Sequence, residues 1–360
     1  MKRDILSLIA TAVFAASAPG ATTTRPLLIQ AAPTPAASYT LTDLGSSDGH
    51  TIATALNEKG QVVGNGKDYA FLWSNGQRTS LKGIPSPMGN DWSRANAINN
   101  HGAVVGSSGG YFPIVMSGLE EAGAFVYQNG KMSKVGGRND WSSFEAYGIN
   151  DRGDIVGLDG YRGFVWMKGR FISLATLSKH PRGNGSRAAA INNRGQVVGG
   201  TTVNRPGDGL PVHAFLWQKG KMKDLGGLHP YSNSVATAIN DAGQIVGYAS
   251  NNAQWRSATL YTPGRAILWS EGKPHPLPHL SGTTQSQANA INNRGEIVGE
   301  SGGHAVLWKG GRFFDLNNGI DPAAGWTLTE ARDVNDHGWI VGAGKRNGEK
   351  ELRAFLLTPR

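Results

Sequence analysis

The chain has 360 residues, with 51 Gly, 17 Pro, no Cys, 17% charged residues and a formal net charge of +9. Absent cysteine excludes disulfides, thiolate chemistry and Cys-ligated metals, and so much glycine excludes a mainly helical protein. The positive charge arrives without clustered Lys/Arg runs and interleaved aromatics, which argues against nucleic acid and leaves a bias toward anionic surfaces or polymers.

Residues 1–21 have the layout of a secretory signal: Lys2 and Arg3, an apolar run from Ile5 to Ala16, then small residues. The run is too short to span a bilayer, so we expect a secreted protein, periplasmic or extracellular, with no membrane span. Residues 22–38 are rich in Ala, Thr and Pro and read as a linker without a core of its own.

From Tyr39 onward one pattern recurs seven times. Its core is Asn-x-x-Gly-x-(Ile/Val)-Val-Gly, beginning at Asn57, Asn99, Asn150, Asn192, Asn240, Asn292 and Asn335, at intervals of 42 to 52 residues. A fixed period of this size signals a repeat architecture. Asn followed three residues later by Gly is turn chemistry, because Asn caps its own backbone two residues on and Gly accepts a left-handed conformation. Four residues before each Asn stands Ala (Ala53, Ala95, Ala146, Ala188, Ala236, Ala288, Ala331), as suits a crowded strand, with Ser or Thr two residues earlier in every copy except Phe144. After the turn, the Val-Gly sequence predicts a short second strand that ends where the Gly lets the backbone turn.

A second motif follows each first hairpin, clearest in His213-Ala-Phe-Leu-Trp217 and the subsequent Asp224-Leu-Gly226. Such continuous apolar runs predict a third strand buried on both faces, and the intervening Lys219-Gly220 or its Asn-Gly equivalents predict a tight turn into a fourth. The last copy stops at Arg360 after its third strand, whereas Tyr39-Thr-Leu-Thr-Asp-Leu-Gly45 matches a fourth strand with no third before it. An N-terminal strand that completes the C-terminal repeat closes a ring and hides its edges. The expected fold is therefore all-β, a seven-bladed β-propeller over residues 39–360, in preference to an open solenoid, which would need no split repeat.

The tandem of His213-Ala-Phe-Leu-Trp217 with Ala238-Ile-Asn-Asp-Ala-Gly-Gln-Ile-Val-Gly247 resembles the HAF family of bacterial extracellular repeat proteins, across essentially all of residues 39–360. The resemblance implies an extracellular β-propeller-like repeat protein and no particular reaction. The triplet drifts to Tyr69-Ala-Phe71, His304-Ala-Val306 and Arg353-Ala-Phe355, so its His is not a fixed ligand. More distantly, Asn192-Asn-Arg-Gly-Gln-Val-Val-Gly199 is similar to the turn of RCC1-like propellers, although its additional Val and the leader argue against a nuclear exchange factor.

Loop lengths separate two faces. The turns from strand one to two and from three to four are uniformly short, while the links from two to three vary, with inserts at 109–123, 201–212 and 248–264. Variable loops on a constant scaffold are where binding is usually grafted. That face is expected to carry Trp92, Trp141, Trp255 and Trp326, all outside the repeat pattern, together with Tyr111 and Tyr261, for stacking on sugar rings or an apolar partner, or simply for covering the blade tops. A variable column five before each Asn adds Arg94, Glu145, Arg187 and Glu330 near the channel mouth, able to bind a charged ligand or to pair with one another.

Gly106-Ser-Ser-Gly-Gly110 and Gly299-Glu-Ser-Gly-Gly303 fit the Gly-x-Ser-x-Gly pattern, but a nucleophile elbow requires a helix after the strand, and here another strand follows. The nine His lack metal-ligand spacing, and no phosphate loop occurs. These readings favour a monomeric, non-enzymatic binding or surface-interaction module without cofactor or metal, with an anionic glycan or a protein as partner. The alternatives are a polysaccharide lyase or glycoside hydrolase using Glu145 or Glu330 with Arg94 or Arg187 on a carboxylate, and a structural surface protein.

Overall fold

Ring closure is carried by the element expected to carry it: Tyr39–Asp43 pairs antiparallel with Arg353–Pro359, from Tyr39 opposite Pro359 to Asp43 opposite Phe355. In this computed structural model the described residues are 38–45, 49–84, 91–110, 121–135, 144–179, 185–204, 211–251 and 264–360. They form seven four-stranded antiparallel sheets, the blades of a propeller. Blades 1 to 6 run in sequence order, so blade 4 comprises Ser186–Ile191, Val197–Thr202, Val212–Gln218 and Lys221–Gly226. Blade 7 joins Trp326–Val334, Ile340–Arg346 and Arg353–Pro359 to the N-terminal strand.

The third-strand runs are buried on both faces, as expected. Phe71, Phe125, Phe164, Phe215 and Phe355 are fully buried, and each core cluster joins side chains of neighbouring blades, such as Val156 and Val165 of blade 3 with Phe215 and Trp217 of blade 4. The fourth strand is the exposed edge, and the His275-Pro276 stretch lies there, where a missing N–H costs no ladder bond. The residue that opens the His-Ala-Phe triplet or its variants is a cross-strand partner on that outer pair: His213 meets Asp224 at 3.0 Å, His304 meets Asp315 at 2.7 Å, and Arg353 meets Asp43 at 2.8 Å. Drift among His and Arg at this position is tolerated because each can donate to the Asp.

Several repeat residues have roles that differ from those expected. The Gly after Ile/Val-Val does not end its strand. A bulge in the first strand brings a backbone carbonyl so close that a Cβ at Gly106, Gly157, Gly199 or Gly299 would collide with the oxygen of Arg94, Glu145, Arg187 or Gln287. Strands continue past it into part of each insert: in blade 2 the ladder extends to Gly110 opposite Glu121, which the Ser/Gly composition had disguised as loop. The Ser or Thr of the first strand is a clip between blades rather than merely a small residue. Ser93, Ser186, Ser234, Ser286 and Thr51 accept the N–H that opens the third strand of the preceding blade, at Ala70, Gly163, Ala214, Ala266 and Ala354 respectively. Phe144 has no hydroxyl for this bond; it stacks on Phe164 of its own blade, ring centroids 4.6 Å apart, and joins the apolar cluster with Val105, Ala124 and Val135 of blade 2. In the outer hairpins both central residues have positive φ, as in Lys219 (50°) with Gly220 (81°), the geometry of a type I′ turn.

Candidate functional site

The first strands surround the axis, and each end of this channel has its own chemistry. At the tight-turn end, every repeat Asn folds back on its own turn: Asn192 Oδ1 accepts the N–H groups of Arg194 and Gln196 at 3.1 and 3.0 Å. Its Nδ2 then donates to the carbonyl of Asn240 in the next blade at 2.9 Å. The same bond links Asn57 to Asn99, Asn99 to Asn150, Asn150 to Asn192, Asn240 to Asn292, Asn292 to Asn335 and, across the chain-terminal seam, Asn335 to Asn57. Seven amides thus form a closed circular ladder.

A second ring lies one residue on. Glu58, Asn100, Asp151, Asn193, Asp241, Asn293 and Asp336 each donate a backbone N–H to the side chain of the next member, closing from Asp336 to Glu58 at 2.9 Å. The two rings line a cavity of about 180 Å³ at the axis. Because the polar groups of this mouth are already engaged with one another, it reads as a clasp. The signal was present in the sequence, since the residue after the repeat Asn is Asn, Asp or Glu in all seven copies.

At the long-loop end the wall is irregular, and the irregularity is informative. Three residues before the repeat Asn, four blades have a side chain that binds the next blade. Thr54, Asn96, Thr237 and Asn289 donate to the carbonyls of Ala95, Ala146, Ala288 and Ala331 at 2.7 to 2.9 Å. Blades 3, 4 and 7 instead have Tyr147, Ala189 and Arg332 at this position. Departures from a repeated structural device are where function is expected.

Blades 3 to 5 bring one of these departures, Tyr147, together with Glu145, Arg187 and Tyr248. The Arg187 guanidinium lies over the Tyr147 ring, 3.9 Å from its centroid, and the Tyr147 hydroxyl donates to Glu145 Oε2 at 2.8 Å. Burial raises the Tyr147 hydroxyl well above its ordinary range; Arg187 opposes the shift and Glu145 reinforces it. Tyr248, 2% exposed, is pushed up to about 12 by burial, again against the pull of Arg187. The Arg187 Nε is buried without an acceptor, and among the described residues no carboxylate forms an ion pair with Arg187. Blades 6 and 7 hold the counterpart: Glu330, 9% exposed, pairs with Arg332 at 2.9 Å, and Glu300 is raised by burial and by the charge of Glu330 despite an N–H bond from Gly303.

Arg94 donates to the carbonyls of Asp68 and Lys67, both at 2.9 Å, and lies 5.9 Å from the Trp92 ring. Trp92 is half-buried opposite Gly109, its Nε1 buried without an acceptor. Trp326 opens the first strand of blade 7 opposite Arg346 and packs against the core, so part of its ring covers the blade top. Both lie at the long-loop end. Trp141, Trp255, Tyr111 and Tyr261, with inserts 111–120, 205–210 and 252–263, fall outside the described residues. Tyr147, Tyr248, Glu300 and Arg332 were not singled out from the sequence; their signal is that the columns three before the repeat Asn and just after the strand-two Gly vary as widely as the column containing Arg187.

The first Gly-x-Ser-x-Gly match lies within a strand, and the second ends one at Ser301 before a two-glycine turn into another strand; Ser108 and Ser301 are both buried, so neither is a nucleophile elbow. Among the described residues no three His, Asp or Glu are grouped to hold a metal ion, and no helix is long and apolar enough to cross a membrane.

Comparison with family models and with curated proteins gives no match. Among solved structures, virginiamycin B lyase from Staphylococcus aureus is similar, with 11% identity, a TM-score of 0.53, and coverage of 89% of this chain and 100% of that one. An extracellular domain assigned to a one-component system from B. thetaiotaomicron is similar at 10% identity and a TM-score of 0.52, covering 89% of this chain and 40% of that one. At such identities the likeness is one of fold, and on it the chain takes its place as a seven-bladed β-propeller.

Proposed function

We propose that this protein is a secreted binding module that takes an acidic glycan at the long-loop mouth of its channel. Arg187 is the group that meets the glycan carboxylate, with Arg94 as a second cation. Trp92 and Trp326 stand at its rim, Glu145 and Glu330 border the site, and Trp141, Trp255, Tyr111 and Tyr261 are the further aromatic candidates that the sequence supplies. The observation that carries this reading is Arg187 itself: a guanidinium held over the Tyr147 ring, its buried Nε lacking an acceptor, in a wall whose neighbours depart from the structural pattern. A planar guanidinium in that state suits bidentate capture of a carboxylate. The leader supports secretion, and the net charge of +9 supports an anionic partner.

Calorimetric titration with oligogalacturonate, a uronic-acid oligomer, tests the reading. Arg187→Gln should weaken binding about tenfold to a hundredfold, the worth of a charge-assisted pair, and added salt should weaken parent binding. Equal affinity of parent and Arg187→Gln would refute it. One further observation favours a catalytic variant at the same end of the channel: Glu300 is raised above its ordinary range by burial and by the charge of Glu330, so two carboxylates come near each other there, as acid–base chemistry on one bond requires. Product formation from the oligomer that disappears in Glu330→Gln would establish a lyase or hydrolase in place of a binding module.

A further inference from the structure

Positive charge that is scattered along the sequence is gathered by the fold onto one face. Six of the seven Asn-x-x-Gly turns have a basic third residue (Lys59, His101, Arg152, Arg194, Arg294 and His337, against Ala242), and all six are exposed. The outer hairpins end on the same side. Those of blades 3, 4 and 6 carry Lys168 with Arg170, Lys219 with Lys221, and Lys309 with Arg312, again all exposed. Residues far apart in the chain thus become neighbours. The Arg152 guanidinium of blade 3 lies on the turn of blade 4, where a Cβ at Gly195 would meet its Nη2 at 2.7 Å, next in sequence to Arg194. Gln196 of that turn bonds in its turn to Gln218, the residue before Lys219, at 3.5 Å.

The carboxylates of this face are engaged or lie at the axis. Asp154 and Glu296 are buried against Arg152 and against Arg294 and Lys309, while Asp151, Asp241 and Asp336 accept the bonds of the inner ring. At the hairpin tips Glu271 is the single carboxylate among the described residues, and there Arg194, Lys168, Arg170, Lys219 and Lys221 form no ion pair. Negative charge is therefore central and positive charge peripheral. The long-loop end shows no such separation, since Arg332 pairs with Glu330 and Arg353 with Asp43 and Glu349. The face is also level. Every blade has the same four-residue inner turn, and blades 1 to 6 all have two-residue outer hairpins, such as Gln218 opposite Lys221. Their tips are Asn, Lys, Glu and Gly, with no apolar side chain to insert into hydrocarbon, so attachment here is by charge alone.

We propose that the perimeter of the tight-turn face, centred on blades 3 and 4, docks on an anionic phospholipid bilayer. A level array of separate cations matches a plane of lipid phosphates, whereas a linear polyanion calls for a groove. The long-loop mouth then points away from the bilayer, open to solvent. The surface is independent of that mouth and does not rest on the glycan reading.

The full chain is sedimented with large unilamellar vesicles of phosphatidylglycerol and phosphatidylcholine in equal parts, and with vesicles of phosphatidylcholine alone. It should bind the first and not the second, and salt raised from about 0.1 to about 1 M should release it as the screening length falls from about 10 to about 3 Å. Changing Lys168, Arg170, Lys219 and Lys221 together to Gln should weaken binding by about a hundredfold or more, at the usual worth of a cation near an anionic membrane. The control changes Lys67, Lys179, Lys345 and Lys350 to Gln. These four are exposed at the long-loop end, so net charge falls equally, and binding should stay within about threefold of the parent. All eight changes are at exposed positions, and both variants should melt with the parent. Failure of the parent to bind the anionic vesicles, binding that survives high salt, or equal losses in the two variants would each overturn the proposal. So would calorimetric binding of soluble polyphosphate with none to vesicles, which would assign the face to a polymer in solution.

Discussion

Replacing Asn192 with Ala tests the amide ring. Asn192 is 4% exposed and makes four hydrogen bonds: two accepted from Arg194 and Gln196 N–H groups, and two donated to the Gln196 side chain and the Asn240 carbonyl. Truncation leaves two turn N–H groups without acceptors and removes the tie to blade 5. The Asn240 carbonyl keeps its bond from Gly243 and so is not orphaned. At about 1 to 3 kcal/mol for each buried group left unpaired, and with water able to reach the turn from the channel mouth, the expected cost is about 2 to 4 kcal/mol. For a domain of this size that is a fall in melting temperature of roughly 4 to 8 °C. Arg194→Ala, an exposed change in the same turn, is the control and should stay within about 0.5 kcal/mol of the parent. Differential scanning calorimetry decides: an Asn192→Ala variant that melts with the Arg194→Ala control would mean that the ring is decoration and the blades are held by their apolar faces alone.

Gly199→Ala should cost at least about 3 kcal/mol in urea unfolding, because its Cβ meets the backbone oxygen of Arg187, which cannot yield without breaking the bulge. Lys168, Lys219 and Glu271 occupy positive φ in the outer hairpins, so changing all three to Asn should add about 0.5 to 1 kcal/mol each to unfolding free energy. Asp333, half-buried where the other blades have Ala or Gly, is pushed up to about 7 by burial of its carboxyl group, against N–H bonds from Leu56 and Val334 and with a small push from Glu58. The folded state then holds this proton more tightly than the unfolded chain does. The parent should therefore lose stability relative to Asp333→Asn as pH rises from about 4 to about 7, and no further above that; parallel melting curves for the two proteins across this range would contradict the assignment.

The repeat carried most of the fold openly. Asn-x-x-Gly turns, third-strand apolar runs and the stray Asp43-Leu44 at the N-terminus lead directly to seven blades and a closed ring, because turn chemistry and two-sided burial are local properties. What joins the blades was less legible. The Ser186 hydroxyl and the Asn192 amide act on the neighbouring blade, 20 to 50 residues away in sequence, and no local pattern states that distance. The role of Gly199 was misjudged for the same reason, since the carbonyl it must avoid belongs to another strand. At the candidate site the column containing Arg187 was legible as a variable one, whereas Tyr147 and Tyr248 emerged only when three-dimensional packing placed them beside that guanidinium.

The central claim is that a carboxylate docks on Arg187 at the long-loop end, and nitrogen-labelled arginine reports it residue by residue. With the Arg187 Nε–H resonance assigned by its loss in Arg187→Lys, tetragalacturonate is added while all arginine side-chain signals are followed by NMR. The account predicts that the Arg187 signal moves downfield and saturates, with Arg94 moving in step, as an orphaned N–H gains an acceptor. An unmoved Arg187 signal, with shifts confined to Arg152, Arg194 and Arg294 at the opposite, tight-turn end, would place the ligand on the wrong face of the propeller and contradict the account.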